Sequence, residues 1–317
     1  MRGRIAAAGG IVRPARRPPE WEARGPRPRG GADEPDLEPR AGEDLCYLAG
    51  DWRIFQRLDG HRWSLDDLAT AHYAARTATA HYAARTATAH YAARTVHEAD
   101  RSGGPDISDR FHGAFADLGC GIGTVLLLLA WRFPLARGVG VEAQAVSVSL
   151  ARRSVRWNGA AERIAVVEAD LRDPHRWAGD ARFDLVTGTP PYLPPGTASE
   201  SDRIQRGPCR IEHRGGIEEY CVAAYAVLSD VGGFVACVGG PGPERGEAAG
   251  RAAGLAVERC RPVVPRSGKA PLFWLFRFAR ESSATPTRVE PALVVRDGRG
   301  RRTEEFVALR AEMGMPP

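Results

Sequence analysis

The chain has 317 residues, of which 43% are hydrophobic and 26% charged, and its net charge is +5. This size and apolar content suit one large domain or two small ones, and the positive charge mildly favours a polyanionic partner. No apolar run approaches the roughly 20 residues that span a bilayer, so neither a membrane segment nor a secretory signal is expected. The cysteines form no C-x-x-C pair, which disfavours a zinc site or a disulfide framework and predicts a cytoplasmic location.

The first segment, residues 1–44, is rich in Arg, Pro and Gly and shows no apolar periodicity. Such a composition buries too little apolar surface to offset the entropy lost on ordering, so we predict a disordered extension. The functional alternative is an arginine-rich arm that contacts an RNA backbone.

Residues 45–104 are predicted to form an N-terminal hairpin followed by a helix. Asp59-Gly60 lies between residues typical of strands and predicts the hairpin turn. Ser64 with Asp67 after it is typical of a helix N-terminus.

Within that helix the nonapeptide ATAHYAART occurs three times without variation, over residues 69–95. Two extra copies add about five whole helical turns, so the helix can lengthen without rotating the segment that comes after it. We interpret the repeat as an in-frame expansion and expect deletion of residues 78–95 to leave cofactor affinity intact. The spacing scatters the repeated histidines around the helix, so no metal site is predicted.

The stretch FADLGCGIGT, residues 115–124, has the form of a strand, a glycine turn and the start of a helix. Gly119, Gly121 and Gly123 alternate, and glycine lets a ligand lie against bare backbone at a helix N-terminus. Asp117 directly precedes the turn and strengthens a motif that glycines alone do not establish.

Acidic residues follow two of the next predicted strands. Glu142 ends one of them, at the position where nucleotide-binding βαβ units hold the ribose hydroxyls, and Asp170 follows the next. The strand after that leads into Thr189. In all, the predicted strands are 114–118, 137–142, 163–168, 183–188, 232–238, 255–263 and 271–279.

Taken in order, these strands, glycines and acids resemble the class I S-adenosylmethionine-dependent methyltransferases. The resemblance implies an α/β fold, with a seven-stranded Rossmann-like sheet, helices on both faces and an N-terminal hairpin and helix as a cap. It places the methyltransferase domain at 105–280 and implies S-adenosylmethionine as the cofactor. Asp117 and the three glycines would bracket the methionine and ribose, Glu142 the ribose hydroxyls, and Asp170 the adenine amine.

The motif Thr189-Pro-Pro-Tyr192 stands where amino-group methyltransferases carry Asn, Asp or Ser before Pro-Pro-Tyr, so it is expected to be catalytic. The Pro190 carbonyl and the side chain of residue 189 can accept the two hydrogens of an exocyclic amine. The ring of Tyr192 offers a face for a splayed-out base. Threonine departs from the family pattern, because its hydroxyl is a shorter acceptor on a β-branched side chain.

A narrower resemblance covers the N-terminal segment. Gln56, then Gly-His-Arg-Trp and an Asp-led helix, is similar to the bacterial tRNA1(Val) (adenine(37)-N6)-methyltransferases. That family places the segment over the methionine end of the cofactor, which makes Gln56, Arg62 and Asp66 or Asp67 cofactor-side candidates. The alternative is a packing hairpin without ligand contact.

The remaining segments carry fewer functional signals. Residues 281–317 are predicted to supply a closing strand and an amphipathic helix. Arg210 and Glu212 have a structural alternative to a functional role, in which they pair with each other. The loop after Tyr192 is of the kind that carries substrate contacts and contains Arg203, Arg206, Arg210, His213 and Arg214, of which the arginines are candidate phosphate contacts.

The resemblance implies an N-methyltransferase for adenine N6 in RNA, with tRNA position 37 as the leading candidate. That assignment makes it an enzyme of RNA modification and tRNA processing, with RNA as its partner and no membrane or metal. The rival within the enzyme class is a protein glutamine N-methyltransferase of the release-factor type. The other class is a non-catalytic cofactor- or RNA-binding module, which the threonine at 189 suggests.

Overall fold

The N-terminal part of the chain forms a small sheet that packs on a helix of the larger domain. A computed structural model of the protein describes residues 4–5, 9–31, 34–93, 111–192, 212, 215–281 and 287–317. The described strands of the small sheet are β1 (Arg4–Ile5), β2 (Ile11–Val12), β3 (Glu43–Ala49) and β4 (Trp52–Arg57), in that order. The β2 strand runs parallel to β3, and β3 and β4 form an antiparallel hairpin.

Residues 9–31 differ from the predicted disorder, since they pack along this hairpin. The Arg17 guanidinium donates to Asp51 at 2.7 Å and lies over the rings of Trp21 and Tyr47. Composition does not reveal this packing, because the acid and the tyrosine that hold the arginine come from a later part of the chain.

The hairpin turn lies at Gly50 and Asp51, so the predicted turn at Asp59-Gly60 is wrong. Gly50 has a φ of 53°, in the left-handed region that glycine adopts readily. Asp59 instead accepts a hydrogen bond of 3.0 Å from the Arg57 side chain, in the bend that leads to the first helix.

Helix α1 (Leu65–Ala93) continues through most of the repeat. The first copy packs against the rest of the protein, since Tyr73 is 1% exposed and His72 Nε2 lies 2.8 Å from Glu312 Oε2. Arg76 in the same copy pairs with Glu290. The first copy therefore contributes a buried side chain to the core and polar contacts to the C-terminal part of the chain.

The larger sheet has the strand order of a doubly wound fold with a reversed final pair. Its described strands run in the order β12-β10-β11-β9-β8-β5-β6-β7, and β13 pairs with β10. The strands β5 to β9 are parallel to their neighbours within that set, and β11 lies antiparallel between β9 and β10. Their bounds are β5 (Ala114–Leu118), β6 (Arg137–Glu142), β7 (Ile164–Glu168), β8 (Phe183–Gly188), β9 (Leu228–Gly239), β10 (Leu255–Val264), β11 (Phe273–Arg280), β12 (Arg288–Val289) and β13 (Leu293–Val294).

Helices cover both faces of this sheet and create two cores. The other described helices are α2 (Thr124–Arg132), α3 (Ala145–Trp157), α4 (Pro174–Trp177), α5 (Ile217–Val227), α6 (Glu244–Ala252) and α7 (Glu304–Glu312). The β5 strand serves both cores, because Phe115 joins the side of α1, α2 and α3, whereas Ala116 and Leu118 join the side of α5 and α6.

The seven strands predicted from the sequence are present and the predicted Rossmann-like fold class is confirmed, but the described sheet has nine strands rather than seven, because the short strands β12 and β13 add to the edge at β10. The β9 strand begins earlier than predicted, at Leu228, directly after α5. The closing strand and helix are β13 and α7. Within the described residues, every helix is too short or too polar to cross a bilayer.

Candidate active site

A cavity of about 420 Å³ lies at the carboxyl ends of β5, β6, β7 and β8, the edge where open α/β sheets bind ligands. The segment that starts α1 closes one side of it. Seven of the nine predicted site residues line the cavity: Gly119, Gly121, Glu142, Asp170, Thr189, Pro190 and Tyr192.

The glycine turn between β5 and α2 forms the floor. Gly119 and Gly121 have φ values of 60° and 55°, which only glycine adopts without strain. A Cβ atom at Gly119 would stand 2.1 Å from the Tyr220 hydroxyl, whereas one at Gly121 would meet no atom within 4 Å. The turn therefore presents bare backbone to the cavity at Gly121 and packs tightly against α5 at Gly119.

Glu142 is held in a defined orientation at the end of β6. Its Oε2 accepts from the Gly121 amide at 3.0 Å, and its Oε1 accepts from the Gln144 amide at 2.7 Å. The side chain is buried but borders the cavity. A carboxylate is an acceptor with two oxygens, so a side chain of this type at this place is chemically suited to a diol.

Asp117 lies behind the glycine turn and does not line the cavity. It accepts from the Leu126 amide at 3.1 Å and from the Thr187 hydroxyl at 2.8 Å. Burial raises the pKa of Asp117 to about 7, against the opposing effect of these hydrogen bonds. Gly123, the residue before α2, also lies outside the lining, and its amide donates to the Cys120 carbonyl at 2.8 Å.

Asp170 borders the cavity beyond β7 and is partly exposed. Both of its carboxylate oxygens pair with the Arg172 guanidinium, at 2.9 and 2.6 Å. The side chain is thereby fixed at the rim of the cavity.

The motif after β8 faces the cavity from the other side. Thr189, Pro190 and Tyr192 line it, and the Tyr192 ring packs closely on Gly239 at the end of β9. The Tyr192 hydroxyl donates to Asp66 Oδ2 at 3.3 Å. The motif is thus connected to the first turn of α1.

Two adjacent acids start α1 beside the cavity. The predicted helix start is confirmed, because the Ser64 amide donates to Asp67 Oδ2 at 2.9 Å. Ser64 Oγ also pairs with Asp66. Burial, and then the neighbouring Asp66 carboxylate, raise the pKa of Asp67 well above its ordinary value, which favours its neutral form.

The two other N-terminal candidates occupy different positions. Arg62 lines the cavity and donates to both oxygens of Asp44, at 3.2 and 3.0 Å. Gln56 lies outside the lining, and its Oε1 accepts from the Trp63 amide at 3.1 Å.

Sequence reasoning missed Tyr220 and Thr187, which shape the site from α5 and β8. Tyr220 lines the cavity and fits against both Gly119 and Gly188. Neither residue has a local motif that signals its role, because each acts through contacts with a distant segment.

Several predicted contacts lie outside the described residues. These are Arg203, Arg206, Arg210, His213 and Arg214. Glu212 is described and pairs with the Arg245 guanidinium at 2.6 and 3.0 Å. In the part of the chain that the structure describes, no three His, Cys, Asp or Glu side chains are grouped to hold a metal ion.

The cavity has the features that a nucleoside cofactor requires. Carboxylates stand at the ends of two adjacent strands, Gly121 leaves backbone accessible, and Ile122, Val141 and Leu171 supply apolar walls. Burial raises the pKa of the Cys120 thiol, the one cysteine among the described residues that line the cavity, well above its ordinary value, which favours its protonated form.

Comparisons with known proteins agree with this geometry. The family described as "Methyltransferase domain" matches residues 115–197. A release factor glutamine methyltransferase of Geobacter sulfurreducens is 40% identical over 81 residues, which are 26% of this chain and 27% of that protein.

Relatives named tRNA1(Val) (adenine(37)-N6)-methyltransferase include proteins of Porphyromonas gingivalis and Mannheimia succiniciproducens. The Porphyromonas gingivalis protein is 32% identical over 118 residues, which are 37% of this chain and 46% of the relative. The Mannheimia succiniciproducens protein is 27% identical over 197 residues, which are 62% of this chain and 77% of the relative. The alignments with the Geobacter and Porphyromonas proteins span under half of those relatives' own length.

Proposed function

We propose that this chain, a class I methyltransferase whose cofactor is S-adenosylmethionine, methylates the exocyclic N6 amine of an adenine in RNA. Position 37 of a tRNA anticodon loop is the leading target. The observation that carries the proposal is the presence of Thr189, Pro190 and Tyr192 in the same cavity as Glu142 and Asp170. The relatives that methylate adenine 37 by name support it.

We propose that the cofactor binds in the part of the cavity that lies at the carboxyl ends of β5, β6 and β7. Gly119 and Gly121 would accommodate the methionine and ribose, Glu142 would bind the ribose hydroxyls, and Asp170 would bind the adenine amine. Asp117 and Gly123 act indirectly in this assignment. They hold the glycine turn through the bonds from Thr187 and to Cys120.

In the part of the cavity beside Thr189, Pro190 and Tyr192, we propose that the protein orients the substrate amine. The Pro190 carbonyl and the Thr189 hydroxyl would accept the two amino hydrogens, which turns the nitrogen lone pair out of conjugation with the base. The Tyr192 ring would stack on that base, an interaction worth about 1–3 kcal/mol for single-stranded nucleic acid. S-adenosylmethionine supplies an electrophilic methyl group when it is bound.

Thr189 is the point on which activity depends most. Its acceptor is a hydroxyl on a β-branched side chain, where the related motifs carry Asn, Asp or Ser. We propose that the Thr189 hydroxyl can still accept one amino hydrogen and hold the amine in a position that permits methyl transfer. On that basis Thr189→Asn preserves or raises transfer to adenine, and Thr189→Val, which keeps the shape without the acceptor, lowers it.

A protein glutamine methyltransferase is the second candidate, favoured by the 40% identity to the Geobacter sulfurreducens protein over 81 residues. A glutamine amide nitrogen is also planar and conjugated, so the same acceptors would serve it. The cavity geometry alone therefore accommodates both substrates, and transfer assays separate them.

The deciding experiment measures transfer of labelled methyl from S-adenosylmethionine to unmodified bulk tRNA, in parallel with a release factor. Digestion and mass spectrometry then identify the methylated nucleoside or residue. N6-methyladenosine supports the proposal, and N5-methylglutamine replaces it with the second candidate. Cofactor binding without transfer to either pool, restored by Thr189→Asn, indicates a non-catalytic module disabled at that position.

A further inference from the structure

A second cavity, of about 520 Å³, lies beside the candidate active site, between residues 13–21, the β3–β4 hairpin and the C-terminal residues. We call it the arginine cavity, because five arginines line it and its lining contains no Asp or Glu among the described residues. These are Arg13, Arg16, Arg17, Arg62 and Arg310.

The positive charge of this cavity is only partly balanced. Arg13 and Arg62 share the single buried carboxylate of Asp44. Among the described residues, neither Arg16 nor Arg310 forms an ion pair with a carboxylate. The Arg310 guanidinium donates to neutral acceptors, the Pro316 carbonyl at 2.8 and 3.1 Å among them. Two guanidinium groups in this cavity are therefore available to an anion.

The cavity also contains aromatic surface and an unused donor. Trp21, Tyr47 and Trp63 line it, and the Arg17 guanidinium lies 5.0 Å from the Trp21 ring centroid. Gln56, also in the lining, is 1% exposed, and within the described part of the chain its Nε2 atom has no oxygen or nitrogen acceptor. Arginines interleaved with aromatic rings and an amide donor suit a nucleotide, with its phosphate, base face and base edge.

The arginine cavity adjoins the candidate active site. Arg62 lines both cavities, and the next residue, Trp63, donates its amide proton to Gln56. A chain of nucleotides that enters one cavity therefore passes close to the other.

We propose that the arginine cavity binds a nucleotide of single-stranded RNA that flanks the target adenine. This inference rests on the proposed function and specifies how the RNA is held. The guanidinium groups of Arg16 and Arg310 bind phosphate, the aromatic rings contact the base, and Gln56 Nε2 donates to the base edge. A protein substrate has no phosphates and gains little from this arrangement.

The test measures binding of a short, fluorescein-labelled, adenine-containing single-stranded RNA by fluorescence anisotropy at several salt concentrations. Arg16→Ala reduces the slope of log K against log salt by about 0.7, the value for one lost phosphate contact on a single strand. Trp21→Ala weakens RNA binding by roughly tenfold, as expected for a lost stacking contact. The matched control is Arg251→Ala, which removes an exposed arginine of α6 outside both cavities and changes neither quantity.

Calorimetric titration with S-adenosylmethionine confirms that each variant is folded, since none of the three residues lines the active-site cavity. If wild-type protein methylates tRNA while Arg16→Ala and Trp21→Ala bind RNA like Arg251→Ala, this inference is wrong and the proposed function stands. If the cofactor binds but the wild-type protein neither binds nor methylates RNA, the proposed function fails and this inference fails with it.

Discussion

The Tyr192 hydroxyl donates a hydrogen bond of 3.3 Å to Asp66, a residue 126 positions earlier in the chain. This bond joins the motif after β8 to the first turn of α1. It gives the N-terminal hairpin and helix a direct role in orienting the aromatic ring on which we expect the base to stack.

A double-mutant cycle tests this connection. Tyr192→Phe removes the hydroxyl and keeps the stacking face, and Asp66→Ala removes the acceptor. Each change alone should lower kcat/KM for tRNA methylation, and the double variant should be no worse than the more impaired single variant. We expect a coupling free energy of about 1 kcal/mol, typical of one hydrogen bond. Strictly additive effects would show that the bond does not serve catalysis.

Glu142 should dominate cofactor affinity among the acids of the cavity. Glu142→Gln should raise the dissociation constant for S-adenosylmethionine by about 10- to 100-fold, because a hydrogen bond to a charged group is worth about 1.5–3 kcal/mol. The matched control is Glu168→Gln on β7, an exposed acid in register with Glu142 that does not line the cavity. Calorimetric titration measures both, and equal affinities in the two variants would exclude the assignment.

Gly119→Ala should abolish measurable cofactor binding. The added Cβ would stand 2.1 Å from the Tyr220 hydroxyl, so the tyrosine or the turn must move into the cavity. Gly179→Ala is the control, because Gly179 has a similar φ of 56° and space for a Cβ. Both variants carry the strain of a left-handed alanine, about 1–2 kcal/mol, but only the first creates the clash. Partial recovery of binding in Gly119→Ala/Tyr220→Phe would identify the hydroxyl as the obstacle.

Asp117 should make the protein less stable as the pH rises towards neutrality. Its pKa is about 7 in the folded chain against an ordinary value of 3.8, so between these values the folded state holds a proton that the unfolded state releases. The resulting stabilisation is complete below pH 3.8 and is lost as the pH rises through about 7.

Urea unfolding at several pH values measures this effect. One proton corresponds to a slope of up to about −1.4 kcal/mol per pH unit, and Asp117→Asn should remove that contribution. Asp67, whose pKa is also raised, contributes in the same direction; the Asp117 charge is only the smallest cause of that shift, after burial and Asp66, so most of the Asp67 contribution cancels in the difference. Identical slopes for the wild type and Asp117→Asn would mean that folding does not raise the pKa of Asp117.

Deletion of residues 78–95 should leave the affinity for S-adenosylmethionine unchanged, since residues 78–80, whose side chains are described, lie outside the cavity lining.

The first copy of the repeat should matter for stability, because its Tyr73 side chain is buried, at 1% exposure. Tyr73→Ala should lower the free energy of unfolding by about 3–5 kcal/mol, as other buried aromatic truncations do. Chemical unfolding and calorimetric titration of both variants compare the first copy with the two later ones, and loss of cofactor binding on deletion would contradict the interpretation as a tolerated expansion.

The sheet and the floor of the site could be predicted from the sequence because their signals are local. Apolar runs followed by Asp117, Glu142 and Asp170 mark successive parallel strands, and parallel strands bring their carboxyl ends to one edge. The alternating glycines similarly require left-handed backbone at the turn, as Gly119 and Gly121 confirm. Seven of the nine predicted site residues therefore meet in one cavity.

Other features depend on contacts between distant segments. The hairpin turn lies at Gly50 rather than at Asp59-Gly60 because β4 pairs with β3, the strand before it in the chain, and not with a strand after it. The preference of Asp-Gly for turns does not by itself say which of two neighbouring segments pairs with β4. The order of residues 9–31 likewise depends on carboxylates and rings from the hairpin, such as Asp51 and Tyr47, which composition cannot supply.

The sequence by itself determined the succession of strands, the glycine turn and the acids at the carboxyl ends of the strands, since these depend on backbone sterics and side-chain periodicity. Only the tertiary structure decided that Asp117 lies behind the turn, that Tyr220 fits against Gly119, and that an arginine cavity adjoins the candidate active site. The physical reason is that burial, pKa and charge balance arise from packing between segments far apart in the chain, whereas local propensity describes each segment alone.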